Sequence, residues 1–161
     1  MKQTNPGGKV VHLAELLPVI QDVLEQNGSV VLTITGTSMY PTMLGGRDQV
    51  VLEKPDRALK RGDLPLYRRK NGQFILHRIV AVEPDGSYTC CGDHQWALEK
   101  GIREEQILAL VTRFCRNGKW RSVTGRGYRL WVRFWTMILP ARKSIFRLAG
   151  AVSGIKKKIR S

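Results

Sequence analysis

Among the 161 residues of this chain, one serine and one histidine are best placed to do chemistry. Ser38 lies in Gly36-Thr37-Ser38-Met39-Tyr40-Pro41-Thr42, and His77 follows thirty-nine residues later, closing the apolar run Phe74-Ile75-Leu76. A serine hydroxyl is a weak nucleophile at neutral pH and needs a neighbour to take its proton. An imidazole, with an unperturbed pKa near ~6.5, suits that task. The two read as a nucleophile and its general base. Taken singly, each has a plainer explanation: a serine before a proline turn commonly bonds nearby backbone, and a histidine closing an apolar strand is commonly structural.

Their company favours chemistry. Five phrases stand in order along the chain: Gly36-Thr37-Ser38-Met39-Tyr40-Pro41-Thr42-Met43, Gly46-Arg47-Asp48-Gln49-Val50, Arg61-Gly62-Asp63-Leu64, Leu76-His77-Arg78-Ile79-Val80 and Gly92-Asp93. Together, over roughly Val30 to Phe114, they resemble the S24/S26 superfamily of serine peptidases, which contains the signal peptidases and the LexA-type self-cleaving repressors. The likeness is greatest to the signal-peptidase branch with a Ser/His arrangement, in which histidine stands in place of a catalytic lysine.

The resemblance implies that Ser38 is the nucleophile and His77 the general base. It also implies that Met39 and Pro41 shape the turn presenting Ser38, and that Gly36 and Thr37 lie beside the substrate carbonyl. The backbone N–H of Ser38 is then the expected oxyanion donor. A third group should hold the imidazole in the right tautomer. Asp93 and Glu99 both qualify; Asp93 is preferred, because Leu98-Glu99 stands where the Ser/His branch shows Asp-Asp. His94 is expected at the surface or on the substrate side, and His12 on the solvent face of an N-terminal helix.

The elements that must position these groups are legible from periodicity. Leu13, Leu16, Leu17, Ile20, Val23 and Leu24 recur at helical intervals between about Val11 and Gln26, with Asn27-Gly28 as a stop and Pro18 as a possible kink. From Ser29 the pattern changes to short β-branched runs: Val30 to Ile34, Gln49 to Leu52, Leu64 to Tyr67, Gln73 to Val82, Ser87 to Cys91 and Ile107 to Cys115. Lys70-Asn71-Gly72-Gln73, Pro84-Asp85-Gly86-Ser87 and Asn117-Gly118-Lys119-Trp120 have the chemistry of hairpin turns. Pro65 points to an edge strand. The expected fold is mainly β, a small coiled β peptidase domain of the LexA/signal-peptidase type at residues 29–122. An N-terminal helical segment at 1–28 precedes it and a basic amphipathic tail at 123–161 follows. The length suits one core.

The net charge of +14 comes from the last third of the chain. Residues 1–105 hold thirteen Lys/Arg against thirteen Asp/Glu, whereas residues 106–161 hold fourteen Lys/Arg and no acid. From Tyr128 to Leu139 the residues Leu130, Trp131, Phe134, Trp135 and Ile138 fall on one helical face, and Pro140 ends the pattern. Ile145, Leu148, Ala149, Val152 and Ile159 form a second stripe, weakened by Gly150 and Gly154. No uncharged apolar run approaches the length needed to span a bilayer. Two readings of the tail stand side by side: residues 128–161 lie on an anionic membrane surface, or the aromatics pack on the body and the Lys/Arg face is solvated.

Neither metal nor cofactor is expected, because no His/Cys cluster has ligand spacing. Cys90, Cys91 and Cys115 make no disulfide framework. Nucleic acid is not an expected partner, for want of a base-reading motif. The N-terminus lacks the apolar core of a secretory signal, so a cytoplasmic or inner-membrane-surface location is expected. The expected function is a serine endopeptidase that processes precursor or leader peptides at or near the membrane surface. The alternatives are a LexA-like self-cleaving regulator and a non-catalytic basic module that binds peptides or membranes.

Overall fold

The computed structural model describes residues 2–4 and 10–147, with side chains from residue 13 onward. In chain order the elements are β1 (Lys2–Thr4), β2 (Val10–His12), α1 (Leu13–Glu25), β3 (Ser29–Thr33), β4 (Gln49–Glu53), β5 (Pro65–Arg68), β6 (Phe74–Leu76), β7 (Arg78–Val82), β8 (Tyr88–Cys91), β9 (Glu99–Ile102), β10 (Ile107–Arg116), β11 (Lys119–Ser122) and α2 (Arg126–Met137). Short 3-10 turns lie at Glu104–Gln106 and Leu139–Ala141, and residues 142–147 are helical. The protein is mainly β, and every strand pairing is antiparallel.

The main sheet runs β3-β4-β10-β5-β6, with β11 also on β10; a second sheet runs β7-β8-β9, and β1 pairs with β2. The ten-residue β10 is the spine. One side of it pairs with β4, while the other takes β5 along its first half and β11 along its second. Its register with β4 slips at Thr112, whose hydroxyl donates to Glu53 at 3.0 Å. Such a slip increases local twist and bends the strand.

Two apolar clusters fill the interior. The larger joins Leu13, Ile20 and Leu24 of α1 to Leu32, Val50, Leu52, Leu66, Val111 and Phe114 of the sheet, and it takes in Met39 and Met43 from the Ser38 loop. The smaller lies around Tyr67, Ile79, Tyr88, Cys90 and Leu110, where the two sheets meet. Burial pushes the thiol pKa of Cys90 up to about 12 and that of Cys91 up to about 11, so neither is a ready nucleophile at neutral pH.

Several details depart from the periodicity. The run from Gln73 to Val82, expected as one strand, breaks at His77: β6 belongs to the large sheet and β7 to the small one. Apolar patterning does not register this change of sheet, because both pieces are buried. Pro65 does not mark an edge, since β5 lies between β10 and β6. It is the first residue of its strand and pairs only with Leu110 on β10, so no bond to β6 is lost. Pro18 does not interrupt α1; Ala14 and Pro18 are both exposed, so the carbonyl that Pro18 cannot serve lies on the solvent side. His12 ends β2 rather than standing in a helix, and β9, Glu-Lys-Gly-Ile, carries no strand pattern at all. At the end of α1, Asn27 takes a positive φ of 57° and the Gly28 N–H bonds back to the Val23 carbonyl at 2.8 Å.

The first helix of the tail packs its two tryptophans on the body. Tyr128 packs on Phe114, Val132 and Thr136 are buried, and Trp131 and Trp135 stack at 5.0 Å while both indole N–H groups donate into the body. Leu130 and Phe134, expected on the same apolar face, point outward. The stripe beyond Arg147, including Lys156-Lys157-Lys158, lies outside the described residues. Among the described residues no helix is long and apolar enough to cross a membrane. Since Tyr128 accepts a hydrogen bond from buried Arg78, Tyr128→Phe should lower stability by about 1–3 kcal/mol, read as the urea midpoint. Leu130→Ala, at an exposed site on the same helix, should stay within about 0.5 kcal/mol of wild type.

Candidate active site

Ser38 sits in the loop between β3 and β4, which closes on itself. Ile34 donates to the Asp48 carbonyl at 3.0 Å, Gly46 donates to the Ile34 carbonyl at 2.8 Å, and the Asp48 carboxylate accepts the Leu44 N–H at 2.8 Å. Gly36 has a φ of +76°, open to glycine without strain, and a Cβ on Gly45 would overlap the Gly36 carbonyl oxygen. Met39 anchors the loop in the core, at 4% exposure. Pro41 follows a cis peptide bond and Thr37 is exposed, its carbonyl accepting the Tyr40 N–H at 3.1 Å.

The loop is held against a second one. The His94 N–H donates to the Ser38 carbonyl at 2.7 Å, and a Cβ on Gly92 would lie 2.7 Å from that same oxygen. Gly92 is therefore needed for close approach. The Ser38 N–H enters no backbone hydrogen bond among the described residues, so it is available to an incoming oxyanion. The Ser38 hydroxyl likewise makes no hydrogen bond among them, to His77 or to any other group.

His77 stands at the crossover between the two sheets, 5% exposed. Its Nδ1 lies 3.5 Å from the Tyr67 hydroxyl and 4.0 Å from Glu99 Oε2. The Tyr67 hydroxyl donates to Glu99 at 2.8 Å, so its own lone pair faces the imidazole, and a proton on Nδ1 is the tautomer this arrangement favours. Nε2 then carries the lone pair, and it has no hydrogen-bond partner among the described residues. Burial lowers the His77 pKa to about 4, with the Glu99 charge opposing it. The imidazole is neutral at pH 7, the form a base needs. Burial also works to raise the Glu99 pKa, but hydrogen bonds from Arg69, at 2.6 Å to each oxygen, and from Tyr67 outweigh it and hold the carboxyl below its ordinary value.

The acid facing His77 is thus Glu99, and Asp93 is engaged elsewhere. The preferred Asp93 makes no hydrogen bond to the ring and reaches it only through its charge, which, like that of Glu99, works to raise the His77 pKa. Arg78 binds Asp93 in a two-pronged ion pair, Nε to Oδ1 at 2.9 Å and Nη2 to Oδ2 at 2.6 Å, and both side chains are almost wholly buried. The Thr42 hydroxyl donates to Asp93 Oδ2 at 2.5 Å, and the Trp131 indole donates to Thr42 at 3.1 Å. Trp135 donates to the Asp93 carbonyl at 3.0 Å, and buried Arg142 donates to the Gly92 and Gln95 carbonyls at 3.1 and 3.3 Å. Arg78 reaches the Gly62 carbonyl and the Tyr128 hydroxyl with its remaining arm. Asp93 therefore fixes the loop that carries Ser38.

A cleft of about 520 Å³ opens beside His77, lined by Arg69, His94, Trp96, Leu98 and Glu99 among others. Ser38 does not itself line it; His94, bonded to the Ser38 carbonyl, does. The His94 ring packs edge-on to Tyr40 at 5.4 Å and on Phe146 at 4.6 Å, on the exposed side expected of it. Sequence reasoning passed over Tyr67, Arg69 and the load on Arg78. The His77-Arg78 pair was visible, but nothing local marks an arginine as buried. Among the described residues no group of three His, Cys, Asp or Glu side chains is placed to hold a metal. No protein-family model, curated protein or solved structure matches the chain.

The two acids should separate by experiment. Asp93→Asn strands a buried guanidinium and should cost about 3–5 kcal/mol in urea unfolding. Glu99→Gln should move the NMR titration midpoint of His77 below about 4 and by more than Asp93→Asn does, because the Glu99 charge is the larger of the two that raise it. The folded pKa lies below the unfolded value near ~6.5, so the His77 contribution to stability is present above that pH and is lost as pH falls toward about 4. His77→Gln should flatten that part of the stability profile.

Proposed function

We propose that the chain is a serine endopeptidase of the S24/S26, signal-peptidase-like type that processes precursor or leader peptides. The observation that carries the reading is His77, a buried neutral imidazole whose Nδ1 edge faces Tyr67 and Glu99 while Nε2 is left without a partner among the described residues. That imidazole borders a cleft whose neighbouring wall, His94, is bonded to the backbone of Ser38.

Ser38 Oγ attacks the peptide carbonyl and its proton passes to His77 Nε2. The C=O bond becomes a single bond to an oxyanion, which the unused Ser38 N–H stabilises, an effect worth about 3 kcal/mol in related chemistry. Imidazolium then protonates the departing amine as the C–N bond breaks, leaving an ester on Ser38. Water gives a proton to His77 as it adds to the ester carbonyl, and the imidazolium returns that proton to Ser38 Oγ as the C–O bond breaks, releasing the acid product and restoring the serine. Glu99 and Tyr67 hold the ring through Nδ1, and the Glu99 charge favours the imidazolium formed in each half-reaction. The segment 94–98 leads into β9, the outer strand of the small sheet. An extended peptide can lie along this edge with its main chain paired and a side chain resting on Trp96 and Leu98.

A non-catalytic peptide-binding role is the competing reading, favoured by the lack of a hydrogen bond from Ser38 to His77 in the unliganded protein. Catalytic bonds of this kind often tighten only when substrate binds. A serine-directed phosphonate should label the wild type and fail on Ser38→Ala. His77→Ala should lower the labelling rate by about 10³-fold or more. The acid limb of the labelling rate should lie near pH 4, since activity requires neutral His77. Labelling that survives Ser38→Ala excludes the mechanism.

A further inference from the structure

The docking of α2 leaves one of its faces without a partner. Tyr128, Trp131, Val132, Trp135 and Thr136 face the body. Leu130, Phe134 and Met137, spaced so that they stack on one side of the helix, are 69%, 50% and 67% exposed. Arg126, Arg129 and Arg133 are exposed beside them. The helix is divided three ways: an aromatic face turned inward, an apolar stripe turned to solvent, and a row of guanidinium groups along one edge of that stripe. Folding explains the first of these only. Three large apolar side chains in register on a helix surface lose free energy in water for no gain to the fold.

We infer that this outer face of α2 is a docking surface for an anionic lipid bilayer, with Leu130, Phe134 and Met137 entering the headgroup–acyl boundary and Arg126, Arg129 and Arg133 meeting the lipid phosphates. Charge selects the occupant. No acidic residue occurs between 106 and 161, so a second copy of the chain placed on this face would set arginines against arginines, whereas an anionic surface pairs with all three. The stripe is long enough for an interfacial helix lying in the membrane plane and is apolar where such a helix must be. Ile145, 41% exposed between Lys143 and Arg147, extends the same chemistry past the 3-10 turn.

The inference does not depend on the peptidase reading, but it has a consequence for it. The helix that meets lipid on one side holds Thr42 and the Asp93 carbonyl on the other, through Trp131 and Trp135. Bilayer and Ser38 loop are thereby fixed to the same rigid element. A peptide emerging from the bilayer surface then reaches the cleft at a set orientation.

The test is flotation of the full-length protein with vesicles of phosphatidylcholine alone and of phosphatidylcholine with phosphatidylglycerol, at low and high salt. Wild type should float with the anionic vesicles only, and less at high salt. Leu130→Ser/Phe134→Ser/Met137→Ser keeps the net charge and changes only exposed positions. It should lose about tenfold or more in partition coefficient. Phe134→Trp should keep binding and add a blue-shifted emission component with anionic vesicles, measured against wild type. Binding by the triple variant equal to wild type would assign the effect to basic charge alone and overturn the proposal. So would failure of wild type to float with either vesicle. A wild-type dimer that becomes monomeric in the triple variant would overturn it too, making the face a contact between copies. Phosphonate labelling of the triple variant in detergent-free solution should match wild type; a loss there would indict the fold or the peptidase reading rather than the lipid surface.

Discussion

The Arg78–Asp93 pair joins parts of the chain that otherwise have little reason to meet. Arg78 begins β7, Asp93 lies in the loop after β8, the Gly62 carbonyl belongs to the turn before β5, and the Tyr128 hydroxyl comes from α2. Burying two opposite charges costs desolvation that their attraction only roughly repays, so the pair is weak evidence of stability. Its value is in specifying geometry. Once a guanidinium is inside, every alternative packing that leaves one of its N–H groups without an acceptor is penalised, and only one arrangement of turn, loop and helix serves them together. The Ser38 loop is tied to this arrangement through Thr42 and through the bond from His94 to the Ser38 carbonyl.

With Asp93 committed to Arg78, the neighbouring carboxylate does a different task. Glu99 is partly open to solvent and shared among Arg69, Tyr67 and the His77 edge, so it influences the imidazole without being locked to it. Burial and Glu99 push the His77 proton affinity in opposite directions, and burial prevails. The result is a ring that stays uncharged across the neutral range yet has a negative charge near enough to steady it when a proton arrives.

The strands were readable where a short apolar or β-branched run is bounded by a Gly or Asn turn; β3, β4 and β10 have that form. The break at His77 and the sheet change between β6 and β7 were not, because apolar patterning reports burial and not which sheet does the burying. β9 lacked any pattern since its role is to bring Glu99 and Ile102 to the edge of the small sheet. At the site, the order of phrases pointed to Ser38 and His77; the structure sets His77 against the cleft and leaves Ser38 outside its lining, joined to it through His94. The choice between Asp93 and Glu99 depended on which acid a buried arginine captured, and that is a property of packing. The tail shows the same limit: a helix wheel marks Leu130, Trp131, Phe134 and Trp135 as one apolar group, and only the body decides that the indoles turn in and the others out.

Because the last described helix completes the inside of the protein, chain order has a cost during synthesis. Thr42, Arg78, Gly92 and Asp93 all leave the ribosome before Tyr128, Trp131, Trp135 and Arg142, which bond to them. Until those later residues emerge, the guanidinium lacks its Tyr128 acceptor and the loop behind the serine lacks its indole props. A nascent β body of this kind should wait, incompletely set, for its closing segment, and translation itself then determines when the buried charges gain their last partners.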